Sequence, residues 1–278
     1  MKGLLKADFR RVFKDKLLLV MGILAVAFAA VMPLLYAALF SGTGLDEGDL
    51  GAELIGGMVS GKTLFFSSFS LGNNLGLIAP VLLAIVLWKD FSFGTIRNKI
   101  IAGKSRVSIY FSLLITCATV LIAVILLHAF LTLGLSLIFF DYQPDPFTLQ
   151  DLGYFLASLA LDLLVLLFVA ALICWLCASA KNVGLVIVLY VAISIALVMI
   201  GSILQVVLCI WDLVDGNEAW GRVLTFLYRI NVGTAVSHIG AGSSYSGKDI
   251  LYLTLSPAFG IAGLTGLGLL KFRKKDLK

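Results

Sequence analysis

Six stretches of this 278-residue sequence carry almost no charge over about 20 residues or more, and that pattern removes most of the folds open to a chain of this size. They run from Leu17 to Phe40, Phe69 to Trp88, Ile109 to Phe140, Leu152 to Ala180, Val183 to Ile210 and Ile250 to Leu270. As a helix, a run of that length reaches across the roughly 30 Å of hydrocarbon in a bilayer. None alternates with a period of two, which argues for helices and against a membrane barrel. Composition agrees, with 60% hydrophobic and only 13% charged residues. The expected fold class is an all-α integral membrane protein with six transmembrane helices. No internal repeat is evident, so residues 1–278 read as a single transmembrane domain.

The basic residues set the orientation. The N-terminus through Lys16, the loop 89–106, Lys181 and the tail from Lys271 lie on one side and hold seventeen of the 21 Lys and Arg residues. The other side holds Lys62, Arg222, Arg229 and Lys248. The positive-inside rule then places both termini in the cytoplasm of a cell whose plasma membrane the chain crosses several times. This asymmetry and attraction to anionic lipid account for the net charge of +5, and no nucleic-acid partner is expected. Cys117, Cys174, Cys177 and Cys209 all fall inside the expected spans. Cys174 and Cys177 form a C-x-x-C, but in an apolar helix without further ligands it reads as packing, and no metal site is expected.

The segments between the spans are more varied. Residues 1–16 set Leu4, Leu5, Phe9, Val12 and Phe13 against Lys6, Arg10, Arg11 and Lys14, the pattern of an amphipathic helix lying at the interface. A signal peptide is the competing reading, but the run from Leu17 to Phe40 is too long for its apolar core. Pro33 is expected to kink the first span, and Pro257 to kink or shorten the last. Residues 41–68 read as an acidic, glycine-rich external loop. Within it, Gly56 to Thr63 satisfies the phosphate-loop expression G-x-x-x-x-G-K-[ST]. That chemistry needs a strand before the loop, a helix after it and an acidic strand end for magnesium, and the context supplies none of them. Residues 211–249 form a second external loop, where Trp220, Val223, Leu224, Leu227 and Tyr228 recur every three or four positions. That spacing predicts an amphipathic helix on, or dipping into, the outer leaflet.

Two ionisable residues interrupt the apolar runs. His128 lies 12 residues before Phe140 and Asp162 10 residues after Leu152, so in an antiparallel hairpin they reach similar depth. They are expected to face one layer and to pair, either as a structural contact or as a proton relay.

The polar island from Lys89 to Arg106 carries five basic residues: Lys89, Arg97, Lys99, Lys104 and Arg106. It is longer than a turn requires. After Asp90, an interfacial helix is expected with Phe91, Phe93, Ile96, Ile100 and Ile101 on its apolar side and Arg97, Asn98 and Lys99 pointing away. Gly94 and Gly103 would let the chain bend on either side. The string Asp90-Phe91-Ser92-Phe93-Gly94-Thr95-Ile96-Arg97-Asn98-Lys99, continued by Ile101 to Arg106, resembles the first cytoplasmic loop of bacterial type-two ABC transporter permeases.

The resemblance covers about seventeen residues and implies a good deal. Residues 1–16 would be an elbow helix, 89–106 the coupling loop whose helix sits under an ATPase, and 211–249 a region holding re-entrant helices. Asp90, Phe91, Phe93, Gly94, Thr95, Ile96, Arg97 and Asn98 would make the ATPase contact, with Asp90 as a helix cap or a charge for a basic partner. The chain would be a transport subunit and not an enzyme, with ATP and magnesium bound by a partner ATPase present in two copies. A second permease chain, identical or related, would complete the assembly. The apolar spans suit a hydrophobic or amphipathic cargo such as an antimicrobial peptide, a peptide toxin or a drug. Two rival functions remain, an ion-driven secondary transporter and a membrane-embedded enzyme. The first wants more intramembrane acids and an inverted repeat, and the second wants a catalytic constellation that the sequence lacks.

Overall fold

A computed structural model of the chain describes residues 2–43, 61–69, 71, 74–139, 152–213, 217–233 and 247–274. Every regular element among them is helical: α1 (Lys2–Phe13), α2 (Lys16–Thr43), α3 (Gly61–Ser67), α4 (Asn74–Ser92), α5 (Thr95–Ile101), α6 (Arg106–Phe139), α7 (Leu152–Ser179), α8 (Val183–Leu213), α9 (Glu218–Ile230) and α10 (Gly247–Lys274). Six of these, α2, α4, α6, α7, α8 and α10, are long and apolar enough to cross a membrane. By length and composition these are the helices of an all-helical membrane protein.

The centre of the bundle is the α6–α7 pair, where buried residues occur around most of each helix rather than along one stripe. Leu113, Cys117, Leu121 and Ile125 on α6 meet Val165, Val169, Ile173 and Leu176 on α7 inside one continuous core. The α2 helix docks on α6 through Met21, Ala25 and Ala29, a row spaced every fourth residue. The longest contact is between α10 and α7, and it requires small residues. A Cβ at Gly260 would lie 2.6 Å from the Phe168 ring, and one at Gly268 would overlap the Tyr110 hydroxyl of α6. In contrast, α8 keeps Val188, Met199, Ile203 and Val206 more than half exposed, an apolar flank that only lipid or another apolar surface can cover.

Within the two segments expected as external, the described residues form short helices that pack against the long ones. The α3 helix buries Phe65 and Phe66, followed by Phe69, in an aromatic cluster with Phe130 of α6 and Phe155 of α7, at centroid distances of 5.2 to 5.6 Å. Burial of three large rings outweighs the weak helical tendency of seven residues. The Gly61, Lys62 and Thr63 end of the phosphate-loop expression forms the first turn of α3, and residues 56–60 lie outside the described residues.

The amphipathic helix expected after the fifth span is α9. Asn217 caps it, accepting from the Ala219 N–H at 2.9 Å. It runs back along α8, from Trp211 beside Gly221 to Leu197, whose carbonyl accepts from Asn231 Nδ2 at 2.8 Å. Leu197 and Trp211 are about 21 Å apart along the helix, so α9 descends beside the fifth span instead of lying flat. Pro257 neither shortens nor ends α10, which continues on both sides of it. The connector 140–151, the segment 234–246 and the tail 275–278 lie outside the described residues.

Candidate functional site

At one end of the bundle the ends of α1, α4, α5, α6 and α10 and the α7–α8 junction come together. The polar island folds there as a short lever between two glycine turns. Gly94 has φ +68° and Gly103 φ +77°, both in the left-handed region that a side chain resists. Between them α5 closes with the pair of backbone bonds that marks a left-handed C-cap. Gly103 N–H donates to Ile100 O at 2.9 Å and Lys104 N–H to Lys99 O at 3.1 Å. Ser105 then starts α6, its hydroxyl accepting from the Ser108 N–H at 3.2 Å.

The lever is tied to α1 by buried charge. Lys99 Nζ donates to Asp8 Oδ1 at 2.5 Å, and the Ser112 hydroxyl of α6 donates to Asp8 Oδ2 at 2.6 Å. Arg11 forms an ion pair with Asp90, which also lies 3.9 Å from Lys99 Nζ. Asp8 and Asp90 are both buried, so two carboxylates and two cations share one desolvated cluster. Burial pushes the Lys99 ammonium down, while its bond to Asp8 raises it and the Arg11 charge lowers it further. Burial likewise pushes the Arg11 guanidinium down, against the pull of Asp8 and Asp15.

Asp15 makes a second tie. Its Oδ1 accepts from the Leu17 N–H at 3.0 Å, capping α2, and its Oδ2 accepts from Lys89 Nζ at 2.6 Å. Burial pushes the Asp15 carboxyl up, but Lys89, the Leu17 N–H and the Arg11 charge together hold it below its ordinary value. Because the folded value is the lower one, this tie is intact above the usual carboxylate range and is lost as pH falls through that lowered value. On the far side of the lever, Arg106 Nη1 donates to Arg273 O at 2.5 Å, joining the start of α6 to the end of α10.

The structure corrects several expected roles. Of the two roles expected for Asp90 the helix cap is not made, because it belongs to the last turn of α4 and the N-cap of α5 is Gly94, with no side-chain bond; its charge meets a basic group of the same chain, Arg11. Lys99 points inward to Asp8. Phe91 packs inside, stacked on Trp88 at 5.8 Å and edge-on to Phe272 at 6.0 Å, and Ile96 is buried. The exposed apolar groups are Phe93 and Ile101, 77% and 74% accessible, with Arg97 and Asn98 exposed beside them and Thr95 half-buried. The expected partner contact is thus divided: Asp90, Phe91 and Ile96 hold the lever in place, while Phe93, Arg97 and Asn98 face outward. Asp8, Arg11, Asp15 and Ser112 escaped sequence reasoning. Their signal was the two acids, seven residues apart, in an otherwise basic amphipathic segment.

The expected His128–Asp162 bond is not made. His128 Nδ1 lies 3.1 Å from Ala25 O, which pins α6 to α2, and neither carboxylate oxygen of Asp162 has a hydrogen-bond partner. An imidazole next to a carbonyl of a packed neighbour satisfies itself locally, so depth alone did not fix its partner. Cys117, Cys174 and Cys177 are buried and free, and the Cys177 thiol lies 4.0 Å from Ala84 O of α4. Among the described residues no group of three His, Cys, Asp or Glu side chains is arranged to hold a metal ion. No protein-family model matches the chain, and no curated protein matches it.

Proposed function

We propose that the chain is the transmembrane permease subunit of an ATP-driven exporter of the type-two ABC class, working with a separate ATPase. The observation that carries this reading is the lever at the charged end. Its seven-residue helix is tied to α1 by the Lys99–Asp8 ion pair, and the end of α4 that leads into it is tied to α1 by Arg11–Asp90 and packed on α10 through Phe91 and Phe272, yet Phe93 just before the helix and Ile101 at its end face outward. An exposed apolar pair on a rigid, charge-locked support suits the reception of mechanical force better than it suits a solvated loop. In this reading α5 is the coupling helix, α1 the elbow helix, and the end that gathers the basic residues faces the cytoplasm.

A push on α5 would pass through Ile96 and Lys99 to α1, and through the short turns at Gly94 and Gly103 to α4 and α6. Two permease chains and two ATPase subunits would make the working assembly, with ATP and magnesium held by the ATPase. The apolar exposed flanks and the inserted helices α3 and α9 favour a hydrophobic or amphipathic cargo, such as a membrane-active peptide or a lipophilic drug.

The test is the double variant Phe93→Glu/Ile101→Glu, built on side chains that are already exposed so that folding is spared. In the reconstituted complex, transport should fall at least about tenfold, a loss of 1.4 kcal/mol or more of productive coupling, while the permease still elutes as a folded species. Undiminished transport, or the absence of any co-purifying ATPase with the unaltered protein, would remove the reading. An ion-driven transporter is the second reading, and Asp162, wholly buried without a hydrogen-bond partner, is what favours it.

A further inference from the structure

Beside the lever, a cleft of about 740 Å³ opens between α5, the α7–α8 junction and the end of α10. Four cations from three separate segments line it: Arg97 from α5, Lys181 from the junction, and Lys271 and Lys274 from α10. All four are exposed, and none has an ion-pair partner among the described residues. The one carboxylate on the wall, Asp90, is already engaged by Arg11. Trp88 and Phe91 give the cleft an aromatic side.

Its level in the fold matters as much as its charge. Three candidate spans reach their ends here, at Ser92, Ser179 and Lys274, and a fourth begins at Val183. The cleft is therefore at the boundary between hydrocarbon and water, where Trp is at home and Lys stems extend along apolar surface with their charge in the polar layer. A free anion needs only the cations. A phosphate carried on acyl chains needs cations next to an apolar flank at this depth, and α8 and α10 supply that flank with exposed Leu185, Val188, Leu267 and Leu270.

We propose that this cleft binds the phosphate headgroup of an anionic membrane phospholipid, with Lys181, Lys271 and Lys274 as its principal charges and the acyl chains lying along α8 and α10. The site does not depend on the exporter reading; it requires only that the six long helices span a bilayer. It differs from general attraction to a charged leaflet because a defined pocket holds one headgroup and saturates.

Native mass spectrometry of the full-length protein in detergent, titrated with phosphatidylglycerol or phosphatidylcholine, tests it directly. The phosphatidylglycerol adduct should saturate at low stoichiometry, and phosphatidylcholine should bind much more weakly. The triple variant Lys181→Gln/Lys271→Gln/Lys274→Gln should bind phosphatidylglycerol about tenfold more weakly or worse, and the corresponding triple arginine variant should retain it. Size-exclusion elution like that of the unaltered protein excludes misfolding, and the charge-retaining arginine variant gives the same control independently. Glycerol 3-phosphate and inorganic phosphate form the other arm, and either one matching the lipid's affinity would overturn a lipid site in favour of a free-phosphate site. Equal binding of the two lipids, or an unchanged adduct in the glutamine variant, would also overturn it. So would loss of a co-purifying protein from that variant with lipid binding intact, which would assign the cleft to an acidic partner segment.

Discussion

A single carboxylate shows how far residue identity alone can be read. Asp90 stands where the polar island begins, and a charge just before a helix suggests a cap or a basic partner, without saying which. What decides its role is that α1 folds over the island and brings Arg11 to it, a contact between residues far apart in sequence. Lys99 is the same case, since a helical wheel places it with the polar residues and only the presence of Asp8 on the buried face of α1 draws it inward. Neither partner is legible from local periodicity, because spacing reports which face a side chain occupies and says nothing about what is docked on that face. The buried cluster has a measurable consequence. Asp8→Ala leaves Lys99 without its short bond in a desolvated site, and breaking a buried pair from one side costs about 3 to 5 kcal/mol. The double variant Asp8→Ala/Lys99→Met removes both charges and should be less destabilised than Asp8→Ala alone. Thermal unfolding in detergent across the four members of that cycle measures the coupling, and strictly additive effects would contradict the clamp.

At the scale of elements, the six long helices were legible because a span is defined by an unbroken apolar run, a property each segment carries by itself. The shorter helices were legible only in part. The three-to-four spacing of Trp220, Val223, Leu224, Leu227 and Tyr228 announced α9, yet not its course beside α8, which comes from the Asn231 bond and the close approach of Gly233 to the Leu197 backbone. The seven residues of α3 carry no helix signal of their own after a glycine-rich acidic stretch, and Phe65, Phe66 and the following Phe69 gain their meaning only from Phe130 and Phe155 opposite. Insertion of α9 makes a graded prediction. With Asn217 near the end of α8 and Ile230 near its middle, single cysteines placed along α9 in an otherwise cysteine-free chain should lose reactivity to a water-soluble maleimide from Glu218 towards Ile230. Asn231→Ala removes the anchoring bond and should flatten that gradient. Uniform labelling in the unaltered background would instead place α9 on the membrane surface.

For the whole molecule, the choice between an engine-driven and an ion-driven transporter turns on what Asp162 is doing inside the bundle. In the exporter reading, motion enters at the charged end through α5, and the spans rearrange without moving a proton or cation through their interior. A lone acid at the α6–α7 core is then a structural cost, since burying a polar group without a partner disfavours the folded state by about 1 to 3 kcal/mol. Asn, which is nearly isosteric and carries no charge, should lower that cost. Asp162→Asn is therefore expected to raise the unfolding temperature and to leave transport ATP-dependent and close to its unaltered rate. In the ion-driven reading the same carboxylate is the group that takes up and releases the coupling ion, and its replacement must abolish uphill transport however stable the protein becomes. Measuring uphill transport in proteoliposomes, with an ionophore present and ATP supplied or withheld, separates the two. If transport by the unaltered protein collapses with the ion gradient, and Asp162→Asn is stable but inert, the lever at α5 is only a well-anchored loop. If transport survives the ionophore, requires ATP and tolerates Asp162→Asn, the work is done from the charged end.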